Sequence, residues 1–286
     1  MTKEQERARA RRRHEAAQKT QKPPVGDSAR DKQVFGVILA VIVIVAAVIA
    51  VPHFIGNRTG DAATPAAAST AGATGQSTGQ ATNASGLAEG QKLAAGCTKP
   101  PALQASPKQF AKVPDKAIAV GKTFTAKVET TCGEIDFELD GAKAPQTVAS
   151  FINLAKEGYW APSPCHRVTS GGIYVLQCGD PTGSGSGGPG YTFGIENAPK
   201  DGVYPTGSLA MARTQEPNSN GGQFFITYEQ SKLPTEGGGY TIFGKVTKGL
   251  DIVTKIAANK ATGANPADGT PVSPISILSV NVTEKK

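Results

Sequence analysis

The side chains that could do chemistry in this 286-residue chain are widely scattered, and their spacing rules out several reaction types. The three histidines, His14, His53 and His166, fall in a charged leader, beside an apolar segment and in a strand-like run, so no metal cluster is predicted. His166 is expected to be a packed, hydrogen-bonded strand residue. The glycine-rich run 183–190 lacks the Gly-Lys-Ser/Thr ending of a phosphate-binding loop and opens no helix. Neither a serine-nucleophile constellation nor a carboxylate pair is visible, and the four cysteines contain no CxxC pair, so no catalytic thiol or cofactor is expected. What remains is Arg167 inside His-Arg-Val, Gln177 ahead of Gly-Asp-Pro-Thr-Gly, and Gln223 ahead of Phe224 and Phe225. Taken singly, an isolated arginine is ordinarily an ion-pair partner, and Met211 and Phe225 are ordinary core residues.

Those residues sit on short β-like runs. Ile135, Phe137 and Leu139 alternate on one face, and Ile275, Ile277, Val280 and Val282 nearly repeat the pattern at the end of the chain. Between them the strand-like segments 165–169, 173–178, 208–213, 223–227 and 240–246 are separated by turn-rich connections. Two helices interrupt them. Ala144-Pro145 opens one with Val148, Phe151, Ile152 and Ala155 at helical spacing, ended by Gly158; the other places Leu250, Val253 and Ile256 on one side. The pattern predicts a mainly antiparallel β barrel or sandwich, with the helices plugging the open ends of a barrel.

Upstream, composition divides the chain further. The net charge is +7, but residues 1–32 carry ten Lys/Arg against five Asp/Glu, which leaves little excess for the remainder and no nucleic-acid-binding face. Val34–Val51 is a run of 18 uncharged, almost wholly apolar residues that would rise about 27 Å as a helix, near the hydrocarbon thickness. A cleaved signal peptide usually has a shorter apolar core and a small-residue site close behind it, which is missing here. The Lys/Arg excess before the run predicts a single-pass cell-membrane protein, N-terminus cytoplasmic and everything beyond residue 55 extracytoplasmic. Residues 56–95, rich in Ala, Thr, Gly and Ser, predict a flexible tether. The lipobox-like run Leu93–Cys97 follows a polar stretch and is read as coincidental. The expected domains are therefore a basic tail (1–33), a transmembrane helix (34–55), a flexible linker (56–117) and a folded domain (118–286).

Five segments, EIDFELDGAKAPQTVASFINLAKEGYW, CHRVTSGGIYVLQCGDPTGSGSGGPGYTF, GSLAMAR, NSNGGQFFITY and YTIFGKVTKGLDIV, occur in one order between residues 134 and 253. Together they resemble the cyclophilins, over roughly residues 122–283. The resemblance implies a closed eight-stranded antiparallel barrel capped by two helices, with a peptide groove on its outer face and peptidyl-prolyl cis-trans isomerase activity. It also implies that Arg167, Gln223 and Phe225 are catalytic, and that Tyr174, Gln177, Met211, Ala212, Arg213, Leu233 and Tyr240 bind substrate. Of these, Tyr174, Met211, Phe225 and Leu233 would form the proline pocket. The chain departs from the family's common pattern in having two extra residues between Arg167 and Gln177, Arg213 where Asn is common and Tyr240 where many members carry His.

Prolyl isomerisation makes and breaks no covalent bond; its barrier of about 18–20 kcal/mol is lost amide conjugation. A permanently charged hydrogen-bond donor beside an apolar clamp suits that task. The implied partners are proline-containing polypeptides and, through the N-terminal helix, the membrane; a monomer is expected. A non-catalytic module that holds proline-containing segments is the alternative, and a surface adhesin using the linker as a stalk is a third. Four cysteines allow three pairings. Cys165 and Cys178 fall on neighbouring strands, close enough to bridge where they face each other, and are the first expected pair; a Cys97–Cys132 bridge is a second, separate expectation, and an oxidising exterior suits both.

Overall fold

The computed structural model describes residues 86–286. The expected basic tail, the apolar span 34–55 and the first part of the tether lie outside the described residues. Among the described residues no helix is long and apolar enough to cross a membrane.

The chain forms β1 (Thr123–Thr130), β2 (Gly133–Asp140), α1 (Pro145–Lys156), β3 (Ser163–Pro164), β4 (Arg167–Ser170), β5 (Tyr174–Cys178), β6 (Val203–Tyr204) and β7 (Ser208–Met211). Then follow β8 (Phe224–Thr227), β9 (Ser231–Lys232), β10 (Ile242–Lys248), α2 (Leu250–Ala258), β11 (Asp268–Gly269) and β12 (Ser276–Glu284). Ten strands make one antiparallel sheet in the order β11-β4-β5-β8-β7-β10-β2-β1-β12-β3, while β6 and β9 pair separately. The expectation of eight strands in a closed barrel is corrected to a curled half-barrel of ten. Eight longer strands make up its body, and the two-residue β11 and β3 extend its ends. The turn is made by one stretch of chain: Ser163–Pro164 pairs with β12, and three residues later Arg167–Ser170 pairs with β5.

Alternation sorts the side chains. Phe124, Ala126 and Val128 of β1 and Ile135, Phe137 and Leu139 of β2 are buried in one core. The broken rhythm of Ile275, Ile277, Val280 and Val282 has a cause in the ladder. Opposite Glu129 and Thr130 the β1–β12 register shifts, skipping Leu278, which is 39 % exposed. A bulge there moves the apolar phase by one residue. Into the same core both helices press their apolar faces, Val148, Phe151 and Leu154 from α1 and Val253 and Ile256 from α2. The ring of Phe151 lies 4.6 Å from Trp160, 5.8 Å from Phe224 and 5.6 Å from Phe243, centroid to centroid. Such tilted and edge-on packing makes the inner side of the sheet a dense, dry support. Ala144 at the N-cap of α1 supplies no capping side chain; the carboxylate of Glu196 instead accepts the N–H groups of Gln146 and Thr147, each at 2.9 Å.

Part of the stretch expected as linker, residues 86–117, is ordered against the domain. Residues 86–117 run over the domain as a strap that buries Leu87 and Ala94. Gln104 Nε2 donates to the carbonyls of Tyr159 at 2.8 Å and Pro162 at 2.9 Å. Phe110 places its ring 6.3 Å from Tyr159 and 6.4 Å from Tyr191, and its N–H donates to Pro189 at 2.7 Å. A disulfide ties Cys97 of the strap to Cys132 in the β1–β2 turn, and a second joins Cys165 to Cys178. Composition gave little hint of this, because a few anchors are enough for a chain that lies on a surface already formed.

Closing a loop with a sequence separation of 35 removes about 3–4 kcal/mol of unfolded-chain freedom, so Cys97→Ser is expected to lower stability by roughly that amount. A chain starting at residue 118 should lose more, because Phe110 and Gln104 go too. Denaturant unfolding followed through the single buried Trp160 measures both; unchanged midpoints would show the strap to be idle.

Candidate active site

One row of side chains crosses five neighbouring strands. Arg167 of β4 stands opposite Gln177 of β5, Gln177 opposite Phe225 of β8, Phe225 opposite Ala210 of β7, and Ala210 opposite Ile242 of β10. Directly opposed residues share a face, and the residues between them, Val168, Leu176, Phe224 and Leu209, point into the core. The row therefore lies on the outer face. Strands are about 4.8 Å apart, which puts the backbones of Arg167 and Phe225 about 10 Å from each other and lets their side chains border one surface.

The apolar end of the row is a second, separate cluster. Val175, Tyr204, Ala210, Phe225 and Leu233 are buried in it, with Ile173, Ala212, Tyr240 and Ile242 packed around them. Tyr240 meets the Phe225 ring edge-on at 5.7 Å, and the Tyr204 hydroxyl accepts the Tyr240 N–H at 2.8 Å. Of the residues expected to form the pocket or bind substrate, Phe225, Leu233, Ala212 and Tyr240 come together here. Met211 does not. It follows Ala210 on β7 and so faces inward, 4 % exposed in the main core. Tyr174 also lies apart from the slot, packed on the main core with its ring 5.8 Å from Tyr228. The extra residues in the β4–β5 turn are absorbed there, and counting outward from Gln177 by twos reaches Val175 and Ile173 instead. That count was available in the sequence once the Arg167–Gln177 pairing is known.

The polar end is a chain of hydrogen bonds. Arg167 donates from Nε to Asp268 Oδ1 at 2.7 Å, from Nη2 to Oδ2 at 2.8 Å, and from Nη1 to Gln177 Oε1 at 3.2 Å. Gln177 Nε2 donates to Gln223 Oε1 at 3.0 Å, and Gln223 Nε2 donates to the carbonyls of Gly185 and Gly187 at 3.0 and 2.9 Å. Beneath that loop sits Asp180, 0 % exposed. Its carboxylate accepts the N–H groups of Thr182, Gly185 and Gly187 and the hydroxyls of Thr182 and Ser184, at 2.7 to 3.1 Å. Only glycine fits at 187, where a Cβ would fall on Asp180 Oδ1. Sequence reasoning missed Asp180 as the centre of the loop and Asp268 as the partner of Arg167.

Electrostatics follow these contacts. The hydrogen bond that Arg167 donates to Asp268 raises the Arg167 pKa against the opposing effect of burial, so the cation is permanent. Burial pushes the Asp180 carboxyl up, but the Thr182 hydroxyl and the N–H groups of Gly187, Thr182 and Gly185 outweigh it and hold the pKa below the ordinary 3.8. His166 lies between β3 and β4 rather than in a strand, and neither ring nitrogen has a hydrogen-bond partner in the protein, contrary to expectation. Burial lowers its pKa and keeps it neutral.

Beside the row opens a recess of about 390 Å³, lined by the 185–189 loop, Ala212, Arg213 and Gln223. Arg213 does not offer its guanidinium freely to a ligand. Its Nε donates to the Gly239 carbonyl at 2.6 Å, Nη1 to Thr214 at 2.8 Å and Nη2 to Glu236 at 3.0 Å, with the group 5.0 Å from the centre of the Tyr240 ring. It latches two loops at the edge of the slot. The whole surface offers a fixed cation, two oriented amides and an apolar slot, a combination suited to binding an extended peptide and polarising one of its bonds.

Residues 125–282 match the family described as cyclophilin type peptidyl-prolyl cis-trans isomerase/CLD. The probable peptidyl-prolyl cis-trans isomerase B of Mycobacterium tuberculosis (strain ATCC 25618 / H37Rv) is 40 % identical over 207 residues, covering 66 % of this chain and 64 % of that protein. The chain thus spans just under two thirds of that relative's length. Peptidyl-prolyl cis-trans isomerase B of Bacillus subtilis (strain 168) is 41 % identical over 124 residues, covering 43 % of this chain and 83 % of that one. A crystal structure of a Cryptosporidium parvum cyclophilin type peptidyl-prolyl cis-trans isomerase is 30 % identical, covers 57 % of this chain and 99 % of that one, and has a TM-score of 0.49.

Because the folded pKa of Asp180 is depressed, its stabilising contribution is complete above the unfolded value of 3.8 and is lost as pH falls through the lower folded value. Amide exchange at Gly185 and Gly187 should accordingly stay protected at pH 5. In Asp180→Ala that protection should vanish and stability should fall by about 3 kcal/mol. Retained protection in the variant would show that the loop holds itself.

Proposed function

The chain belongs to the cyclophilin-type peptidyl-prolyl cis-trans isomerase family, and on that premise we propose that it accelerates X-Pro isomerisation in exported or cell-surface polypeptides. The observation that carries the reading is the row from Arg167 through Gln177 to Phe225, which sets a permanent cation beside an apolar slot on one open face. As the imide C–N bond twists, its nitrogen loses conjugation and becomes a better hydrogen-bond acceptor. Of the five N–H donors of a guanidinium, three are engaged by Asp268 and Gln177, which leaves two for the prolyl carbonyl or that nitrogen. Phe225, Leu233, Tyr240 and Val175 hold the proline ring and exclude water while the preceding residue rotates. Gln177 and Gln223 orient the peptide backbone. Taking tens of seconds down to milliseconds requires about four decades, or roughly 5–6 kcal/mol, within reach of one charge-assisted hydrogen bond plus an apolar clamp.

The same reading places the domain, as a monomer, outside the cell membrane on an N-terminal anchor at residues 34–55, with the N-terminus in the cytoplasm. It is supported by the 18-residue apolar run, by the Lys/Arg excess before it, and by the pairing of all four cysteines in disulfides, which suits an oxidising compartment.

Exchange NMR on an Ala-Pro peptide with the full chain tests the activity. Arg167→Ala is expected to lower kcat/KM by about a hundredfold, the worth of a charge-assisted hydrogen bond in the transition state. Equal exchange with both proteins would remove the enzyme claim, and peptide binding without exchange would make the chain a proline-binding module. Protease added to intact cells should cut between residues 56 and 85 and release the disulfide-bonded domain; full resistance in intact cells alongside cleavage in lysed ones would reverse the topology.

A further inference from the structure

The Arg167–Asp268 pair is more elaborate than an ordinary surface ion pair. Asp268 grips the guanidinium along one edge with two parallel bonds, Nε to Oδ1 at 2.7 Å and Nη2 to Oδ2 at 2.8 Å. That bidentate geometry fixes the plane of the guanidinium and not merely its position. The two side chains are 44 % and 43 % exposed, and pairs that open to water add little to folding stability. Stability therefore explains little of the arrangement.

The carboxylate is itself held by backbone. Asp268 pairs with Thr169 and Gly269 with Val168, so β11 adds a short edge to the strand that carries Arg167. The Ser170 N–H donates to the Ala267 carbonyl at 2.8 Å, and Thr262 N–H to Thr270 at 2.7 Å, closing the 261–271 turn behind it. Asp268 lies diagonally across from Arg167 on the outer face, within reach for two long side chains. On the opposite side Gln177 Oε1 takes one Nη1 hydrogen. Gripped from both flanks, the guanidinium keeps one hydrogen on Nη1 and one on Nη2 that neither partner claims.

We propose that Asp268 is a positioning residue for the reaction assigned to Arg167, clamping the guanidinium so that its unclaimed hydrogens face the bound imide. The role rests on the isomerase reading and goes beyond it, because it makes the edge strand β11 part of the catalytic apparatus. Asp268 touches no substrate and acts only through Arg167. Its negative charge reduces the field of the cation, so the arrangement gives up some charge for a fixed orientation. Orientation is worth more here, because the imide nitrogen accepts along one direction only while it is pyramidal.

The test uses the full chain in four forms: wild type, Asp268→Asn, Arg167→Ala and the double variant. With an Ala-Pro peptide in exchange NMR, Asp268→Asn is expected to lower kcat about tenfold and to move KM by less than about twofold, as for an interaction made in the transition state. Added to Arg167→Ala, it should change nothing further. The Arg167 Nε–H resonance should be protected from solvent exchange in the wild type and lose that protection in Asp268→Asn, while the unfolding midpoint read through Trp160 stays put. A wild-type or faster rate in Asp268→Asn, or an equal loss in both backgrounds, overturns the proposal while leaving the isomerase reading intact. A wild type that does not accelerate exchange removes both.

Discussion

A guanidinium that is to keep one orientation at an open surface has to be held there and kept from collapsing onto the nearest carboxylate in a random pose. In this domain one continuous line of hydrogen bonds does that, running from buried Asp180 through the 182–187 loop, Gln223, Gln177 and Arg167 to Asp268. Each amide in the line has its oxygen and nitrogen assigned by its neighbours, so neither glutamine can flip without losing two partners. A fixed network of this kind costs nothing to reorganise when charge shifts beside it. Asp180 gives the line a fixed end because a buried carboxylate with five donors has no lower-energy place to go.

The two faces of the sheet divide the remaining work. On the inner face, Phe137, Phe151, Trp160, Phe224 and Phe243 interlock and leave the strands little freedom. Phe224 and Phe225 are neighbours in sequence yet belong to different clusters, one to the core and the other to the slot. The inner ring anchors the strand, and the outer one inherits its precision. The disulfide between Cys165 and Cys178 adds a covalent tie at the hairpin that carries Arg167 and Gln177, one residue beyond Gln177 and two before Arg167. From outside, the strap lays Phe110 against Tyr159 and Tyr191 and donates to Pro189, the far end of the loop that Asp180 gathers.

Much of this was legible in the residues. Period-two runs marked β1 and β2, Pro145 and Gly158 bounded α1, and the motif around Arg167 located the cation and its two glutamines. Even the imperfect rhythm near the C-terminus recorded a real bulge in β12. The family resemblance rested on these same local signals, which survive in sequence because backbone conformation and side-chain alternation act over a few residues.

Other features depend on which strands become neighbours. Met211 and Tyr174 were assigned to the slot by position in a motif, and the ladder register turned them away in favour of Ala210, Val175 and Ile173. Asp268 reaches Arg167 across a sequence gap of 101 residues, and Glu196 caps a helix 50 residues before it. The strap looked like tether because its composition is poor in large apolar groups, whereas its order comes from a surface made elsewhere in the chain. By itself, then, the sequence determined the strands, the helices and the chemical kinds of side chain at the site. Only the tertiary structure decided which side chains meet, because a one-residue change in register exchanges the faces of a strand and long-range partners leave no periodic trace.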